Sequence, residues 1–204
     1  MGKRSDRRND DHLRTVLAQE AARIILNQGI EDFRTAKIKA AEHYGVRNYG
    51  ALPNNREIEA AVAEHNRIFG GDDHTDMLTK LRNLALAVMY DLEVFRPCLV
   101  GSVLSGNVTA HSGINLHLFS DSSENVGMEL HYRGIRHSSM QRKHRVNRDR
   151  TQAFPGYRFF TEDVEVKATV FPESRKTHAP LCPVDGRPMR RAKLRDVEAL
   201  AYAS

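Results

Sequence analysis

Residues 96–121 read RPCLVGSVLSGNVTAHSGINLHLFSD, and this stretch decides the fold. Cys98, Leu99 and Val100 form a short apolar run that reads as a strand. Gly101-Ser102 follows at once, then Gly106. After a polar connection, Ser112-Gly113-Ile114-Asn115-Leu116 leads into a second apolar run that ends at Phe119. The order strand, Gly-Ser turn, short helix, strand is that of a phosphate-handling unit. Backbone N–H groups of a glycine turn at a helix start point at an anion, and a residue without Cβ lets it come close. Gly101, Ser102, Gly106 and Ser112 are therefore expected to bind a nucleotide or phosphate. A Gly-Ser pair alone is also an ordinary strand–helix turn; its spacing to Ser112 is what favours the ligand.

Side chains alternate across a strand. If Ile114, Leu116 and Leu118 face the core, Gly113, Asn115 and His117 share the opposite face.

The stretch resembles the nucleotidyltransferase superfamily, which includes DNA polymerase beta and the minimal nucleotidyltransferases. The family pattern is an apolar strand, G-S, a glycine, then S-D-x-D-L on the next strand. Gly101-Ser102, Gly106 and Ser112 to Leu116 match it in spacing, but the two aspartate positions hold Gly113 and Asn115. In the family those aspartates hold two magnesium ions, hard cations that favour carboxylates. A third family carboxylate lies on a later neighbouring strand, where Glu165 fits. The resemblance thus implies an α+β fold, with an N-terminal helical region packed on a nucleotidyltransferase-like mixed sheet and its flanking helices. It implies a cleft presenting Asn115, His117 and Glu165 as catalytic candidates, Glu165 as a metal ligand, and Mg²⁺ or Mn²⁺ only if the site is active. The other reading of these residues is a polar, exposed sheet face of a degenerate site. The segment PVDGRPMRR at 183–191, with GIEDF at 29–33, is also similar to a group of bacterial proteins that carry the same middle.

Before this stretch the apolar period is helical. Leu13, Val16, Leu17, Ala21, Ile24 and Ile25 share one face, and Gly29 stands where a helix-ending glycine belongs. Phe33, Ala36, Ala40, Ala41 and Tyr44 form a second stripe closed by Gly45, and a loop runs from there to Pro53. Asn54 with Glu57 reads as a capping box opening a third helix, which the stripe Ile58, Ala61, Val62, Ile68 and Phe69 continues to Gly70-Gly71. Met77, Leu81, Leu84, Val88, Leu92 and Phe95 mark a fourth, introduced by Asp72 and Asp73. These stripes are core rather than a cofactor box.

After it, residues 122–131 suggest a short helix, 157–160 a strand, and 164–170 a half-buried strand in which valines and Ala168 alternate with Glu165, Lys167 and Thr169. A final helix is expected over 192–202. The stretch IRHSSMQRKHRV has poor periodicity and is the most basic part of the chain. Arg133, Arg136, Arg142, Lys143, Arg145, Arg148 and Arg150 are expected to contact nucleic-acid phosphate, arginine forks being suited to it. The alternative is a solvated hairpin. His178 and Cys182 have no second pair to complete a zinc site, and none is expected. The expected organisation is a basic disordered arm over 1–10, a helical region over 11–95, a nucleotidyltransferase-like domain over 96–171, and a tail with a short helix over 172–204.

The chain has 204 residues, 28% of them charged, and a net charge of +5, which permits a polyanionic partner. No run of eighteen apolar residues is present, so no transmembrane helix is expected. The charged opening MGKRSDRRND lacks an apolar core, so neither is a secretory signal. With two cysteines and no disulfide framework, a cytoplasmic protein with reduced thiols is expected. Three functions are open: a superfamily member that binds a nucleotide or RNA with transfer activity weak or lost, an active metal-dependent nucleotidyltransferase with a rebuilt site, and a protein-binding adaptor with a vestigial cleft.

Overall fold

The computed structural model describes residues 2–30, 32–46 and 52–202, with side chains from Asp11 onward. Much of the loop expected between Gly45 and Pro53 lies outside the described residues. The chain divides into a helical unit (residues 1–74 and 109–111) and a sheet unit (75–108 and 112–204).

The helical unit contains α1 (Gly2–Gln28), α2 (Phe33–His43) and α3 (Asn55–Phe69). The stripes buried in it are largely those the periodicity marks, but Tyr44, Ile68 and Phe69, at the ends of α2 and α3, are exposed rather than core. Leu17, Ala21 and Ile24 of α1 meet Ala36 and Ala40 of α2 and Ile58 and Val62 of α3. Small residues at 18, 21, 22, 36 and 40 let the helices approach closely. Asp32 caps α2 by accepting from the Thr35 amide at 2.7 Å. Asn54 and Glu57 form the reciprocal capping box on α3, at 3.0 and 2.7 Å. Gly29 ends α1 at φ +65°, donating its N–H to the Ile25 carbonyl. The helix takes in the backbone of residues 2–10, where a disordered arm is expected from the sequence.

The sheet unit opens with the body of α4 (Gly71–Asp91), so its boundary falls at 74/75 rather than at 95/96. The reason is packing: Leu81, Ala85 and Met89 belong to the core of the sheet. The apolar stripe continues to Phe95, but the α-helix does not. A 3₁₀ turn spans Glu93–Phe95 and Arg96 turns to φ +48°, because the chain must leave the helix before Pro97. Then come β1 (Cys98–Val100), α5 (Ser102–Ser105), β2 (Ile114–Phe119), α6 (Ser123–Tyr132), β3 (His137–Arg145), β4 (Thr151–Thr161), β5 (Val164–Phe171) and α7 (Leu194–Tyr202).

The five strands make one mixed sheet in the order β1-β2-β5-β4-β3. Among the described residues only β2 and β5 run parallel, with Asn115 opposite Lys167 and His117 opposite Thr169. One face carries Leu99, Ile114, Leu116, Leu118, Val166 and Ala168 against α4, α6 and α7. The protein is thus α+β, with helices on one side of a mixed sheet. The stretch 137–145 is a strand, which its poor periodicity conceals. It is an edge strand, so most of its side chains stay in solvent and no apolar alternation is needed. Strand β4 extends well before Tyr157 and includes Pro155. Pairing of β4 with β5 begins only at Gly156, so Pro155 lies where β4 has β3 as its one neighbour. Among the described residues no helix is long and apolar enough to cross a membrane.

Candidate functional site

The second face of the sheet holds the candidate site. Asn115 and His117 do share it, opposite the Leu116 face. So do Cys98 on β1, Glu165, Lys167, Thr169 and Phe171 on β5, Phe154, Gly156 and Arg158 on β4, and Met140, Arg142 and His144 on β3. Strands β2 and β3 are three spacings apart, about 14 Å if the sheet were flat. Yet the Arg142 guanidinium donates from Nη1 to Asn115 Oδ1, and the rings of His144 and His117 meet edge-on at 5.4 Å. The sheet is therefore curled into a trough. The tip of the β3–β4 hairpin, beyond Gly156, folds over it and brings Phe154 to 4.5 Å from Phe171.

At the open end of the trough stands the Gly101–Ser102 turn. Gly101 has φ +80°, and a Cβ there would lie 3.6 Å from the Asn115 amide nitrogen. Ser102 and Ser112 are brought together, hydroxyl to hydroxyl at 3.5 Å. The helix that follows is a single turn. Gly106 ends it at φ +87° and donates to the Ser102 carbonyl at 2.8 Å, so its glycine serves a cap.

Glu165 lies on this face beside the Gly113 position, as expected. Its carboxylate is engaged by Lys167 Nζ at 2.9 Å and faces Arg158 Nε at 3.7 Å. Asn115 is held by Arg142. A Cβ at Gly113 would come within 2.7 Å of the Glu165 carbonyl oxygen, so the backbone here leaves no room for an aspartate without a shift. A neutral amide and one carboxylate already matched by cations do not fit a pair of Mg²⁺ or Mn²⁺ ions, which need several oxygen anions.

His117 is not on an open face. It is 2% exposed, packs 4.6 Å from the Phe171 ring, and accepts from Arg191 Nε at Nδ1 at 3.1 Å. The exposed polar face expected at this position is corrected: His117 is buried. The reason is the segment after β5, which returns Arg191 across the trough, a contact that no strand pattern announces. The Arg191 guanidinium carbon lies 4.9 and 5.1 Å from the Phe119 and Phe171 ring centres. Burial, then Arg191, His144 and Arg142, push the His117 imidazole well below its usual range. Burial, then Arg142 and Arg191, lower His144 from 6.5 to about 4.

Both imidazoles are therefore neutral in the fold, and protonating them opposes folding. A histidine with a depressed folded pKa adds stability above its unfolded value, lost as the pH falls from there through the folded value. In phosphate-free buffer the denaturant midpoint of the sheet unit should fall between pH 6.5 and about 4. His144→Gln should flatten that slope. An unchanged slope in the variant would remove His144 as its source.

The basic segment does not form one patch. Arg133 is tied to Glu129 at 2.7 Å and Asp91 at 2.8 Å, which joins α6 to α4. Along β3 the side chains alternate, so Arg142 enters the trough while Lys143 and Arg145 stand on the opposite face. Arg136 precedes the strand, and Arg148 and Arg150 are exposed in the turn that follows. Reading a strand as a hairpin of unspecified geometry merges groups that the pleat separates. Sequence reasoning missed Arg158, Lys167, Thr169, His144 and Arg191. Lys167 and Thr169 had a usable signal, their places one and two alternations after Glu165 in β5.

No known family profile, curated protein or solved structure matches the chain.

Proposed function

We propose that the open end of the trough binds a phosphate-bearing ligand, a nucleotide or the phosphate of an RNA, on a nucleotidyltransferase-like fold that no longer performs two-metal transfer. The observation that carries this reading is the hydrogen bond from Arg142 to Asn115. It brings a guanidinium from the edge strand to the position where the family holds an aspartate. Lys167 and Arg158 stand beside it around Glu165. Cations thus occupy the place of carboxylate-bound metal ions, and a phosphate can be met by N–H donors directly. The Ser102 and Ser112 hydroxyls and the Gly101 turn adjoin the same end. Charge matched by side chains gives binding and orientation, but does not generate a nucleophile or neutralise a leaving group in line.

Calorimetry with nucleoside triphosphates tests this reading. Binding should persist in a chelator, weaken as salt rises, and fall about tenfold or more in Arg142→Gln and in the double variant Lys167→Gln/Arg158→Gln, since hydrogen bonds to a charged group contribute about 1.5–3 kcal/mol. Strict dependence on Mg²⁺, with turnover lost in Glu165→Gln, would replace this reading by an active transferase. No heat with any triphosphate or short RNA would leave the adaptor reading in its place.

A further inference from the structure

We propose that the covered end of the trough is a second binding site, one for a small oxyanion such as phosphate. Three polar atoms there are buried and lack a partner: Arg191 Nη2, Thr169 Oγ1 and His144 Nε2. Thr169 is 1% exposed and His144 9%. All three residues gather about Phe171. Thr169 precedes it by two on the same strand face. The His144 ring lies 5.4 Å from its ring and the Arg191 guanidinium carbon 5.1 Å. The bond from Arg191 to His117, opposite Thr169 on β2, closes the group.

Each of these atoms is a donor that a single oxyanion would satisfy: a guanidinium N–H, a hydroxyl, and an imidazole N–H in the Nε2 tautomer. The charge balance points the same way. Arg191 donates from Nε to His117 and from Nη1 to the carbonyls of Arg175 and Lys176, all neutral acceptors. Arg142 adds a second positive charge near both imidazoles, and no carboxylate pairs with Arg191 among the described residues. Buried charges in proteins are normally paired, and buried donors normally bonded. Leaving three donors orphaned around a cation is costly in an empty fold and favourable around an anion.

Aromatic rings and the returning tail flank these donors, so the occupant proposed is one small oxyanion rather than a nucleoside. It rests on other atoms than the open end of the trough, so the two readings fail separately. Nucleotide binding without phosphate binding removes this one alone, and the converse removes only the other.

The test uses the full chain with inorganic phosphate, read by calorimetry and by thermal unfolding against chloride at matched ionic strength. Phosphate should raise the unfolding midpoint in proportion to the logarithm of its concentration. Thr169→Val, close to isosteric, should weaken phosphate binding about tenfold, while Thr169→Ser, which keeps the hydroxyl, should stay near wild type. Competition by a nucleoside triphosphate would assign the site to a phosphate of that ligand, and simultaneous binding would assign it to the free ion; both support the site. Phosphate without effect beyond chloride would overturn the proposal. So would a Thr169→Val protein that is more stable than wild type with its phosphate response intact.

Discussion

Phe171→Ala should lower the stability of the sheet unit by about 3–5 kcal/mol, the range for removing a fully buried aromatic ring. Phe171 is completely buried. Its ring contacts His117 at 4.6 Å, Phe154 at 4.5 Å, His144 at 5.4 Å and Phe119 at 6.4 Å, and carries the Arg191 guanidinium. It touches both the hairpin tip folded over the trough and the returning tail. Its loss leaves a cavity lined partly by polar groups, which water can enter but which no neighbour is free to fill. Urea unfolding followed by tryptophan-independent circular dichroism measures the change, since the chain has no Trp. Arg191→Met in the same assay should cost less, because the lost His117 bond is offset by removal of a desolvated charge. A Phe171→Ala loss below about 1 kcal/mol would mean that the hairpin tip does not depend on this ring.

Gly156→Ala should cost about 1–3 kcal/mol or more, although it adds one methyl group. A Cβ there would stand 2.4 Å from the Ala168 carbonyl oxygen and 3.1 Å from Thr169 Cα. Both are backbone atoms of β5, which cannot move aside without breaking the pairing of Gly156 with Thr169. Gly156 is where β4 joins β5 and where the hairpin begins to fold over the trough. The same change should therefore weaken the approach of Arg142 to Asn115, and with it nucleotide binding. Circular dichroism melting and calorimetry on one preparation separate the two effects. A variant with wild-type melting and wild-type affinity would show that strands β4 and β5 accommodate the methyl group.

The helices of the first unit were legible because their signals are local. Periodic apolar residues, the Asn54–Glu57 box and Gly29 act within a few positions of the chain, and the structure uses them where the pattern puts them except at the helix ends, where Tyr44, Ile68 and Phe69 stay exposed. The strands β1 and β2 were legible as short apolar runs, buried on both faces, and β5 by its alternation of valines and Ala168 with polar residues. Sequence alone also determined that Asn115 and His117 oppose Leu116, since the period of a strand is two.

What each of those residues does was decided by tertiary structure. Residue 142 and residue 115 are brought together by curling of the sheet, and residue 191 reaches residue 117 through a tail that holds only a short 3₁₀ turn and isolated β-bridges. Neither relation has a period in the chain. The strand at 137–145 was hidden for a related reason: an edge strand exposes most of its side chains, so burial imposes no alternation on them. The division of its cations between two faces follows from the pleat, which becomes visible only once the strand is known to pair. The buried character of His117, and the orphaned donors beside it, depend on covering segments far away in sequence. Burial is a property of what packs on a residue, and only the folded chain supplies that.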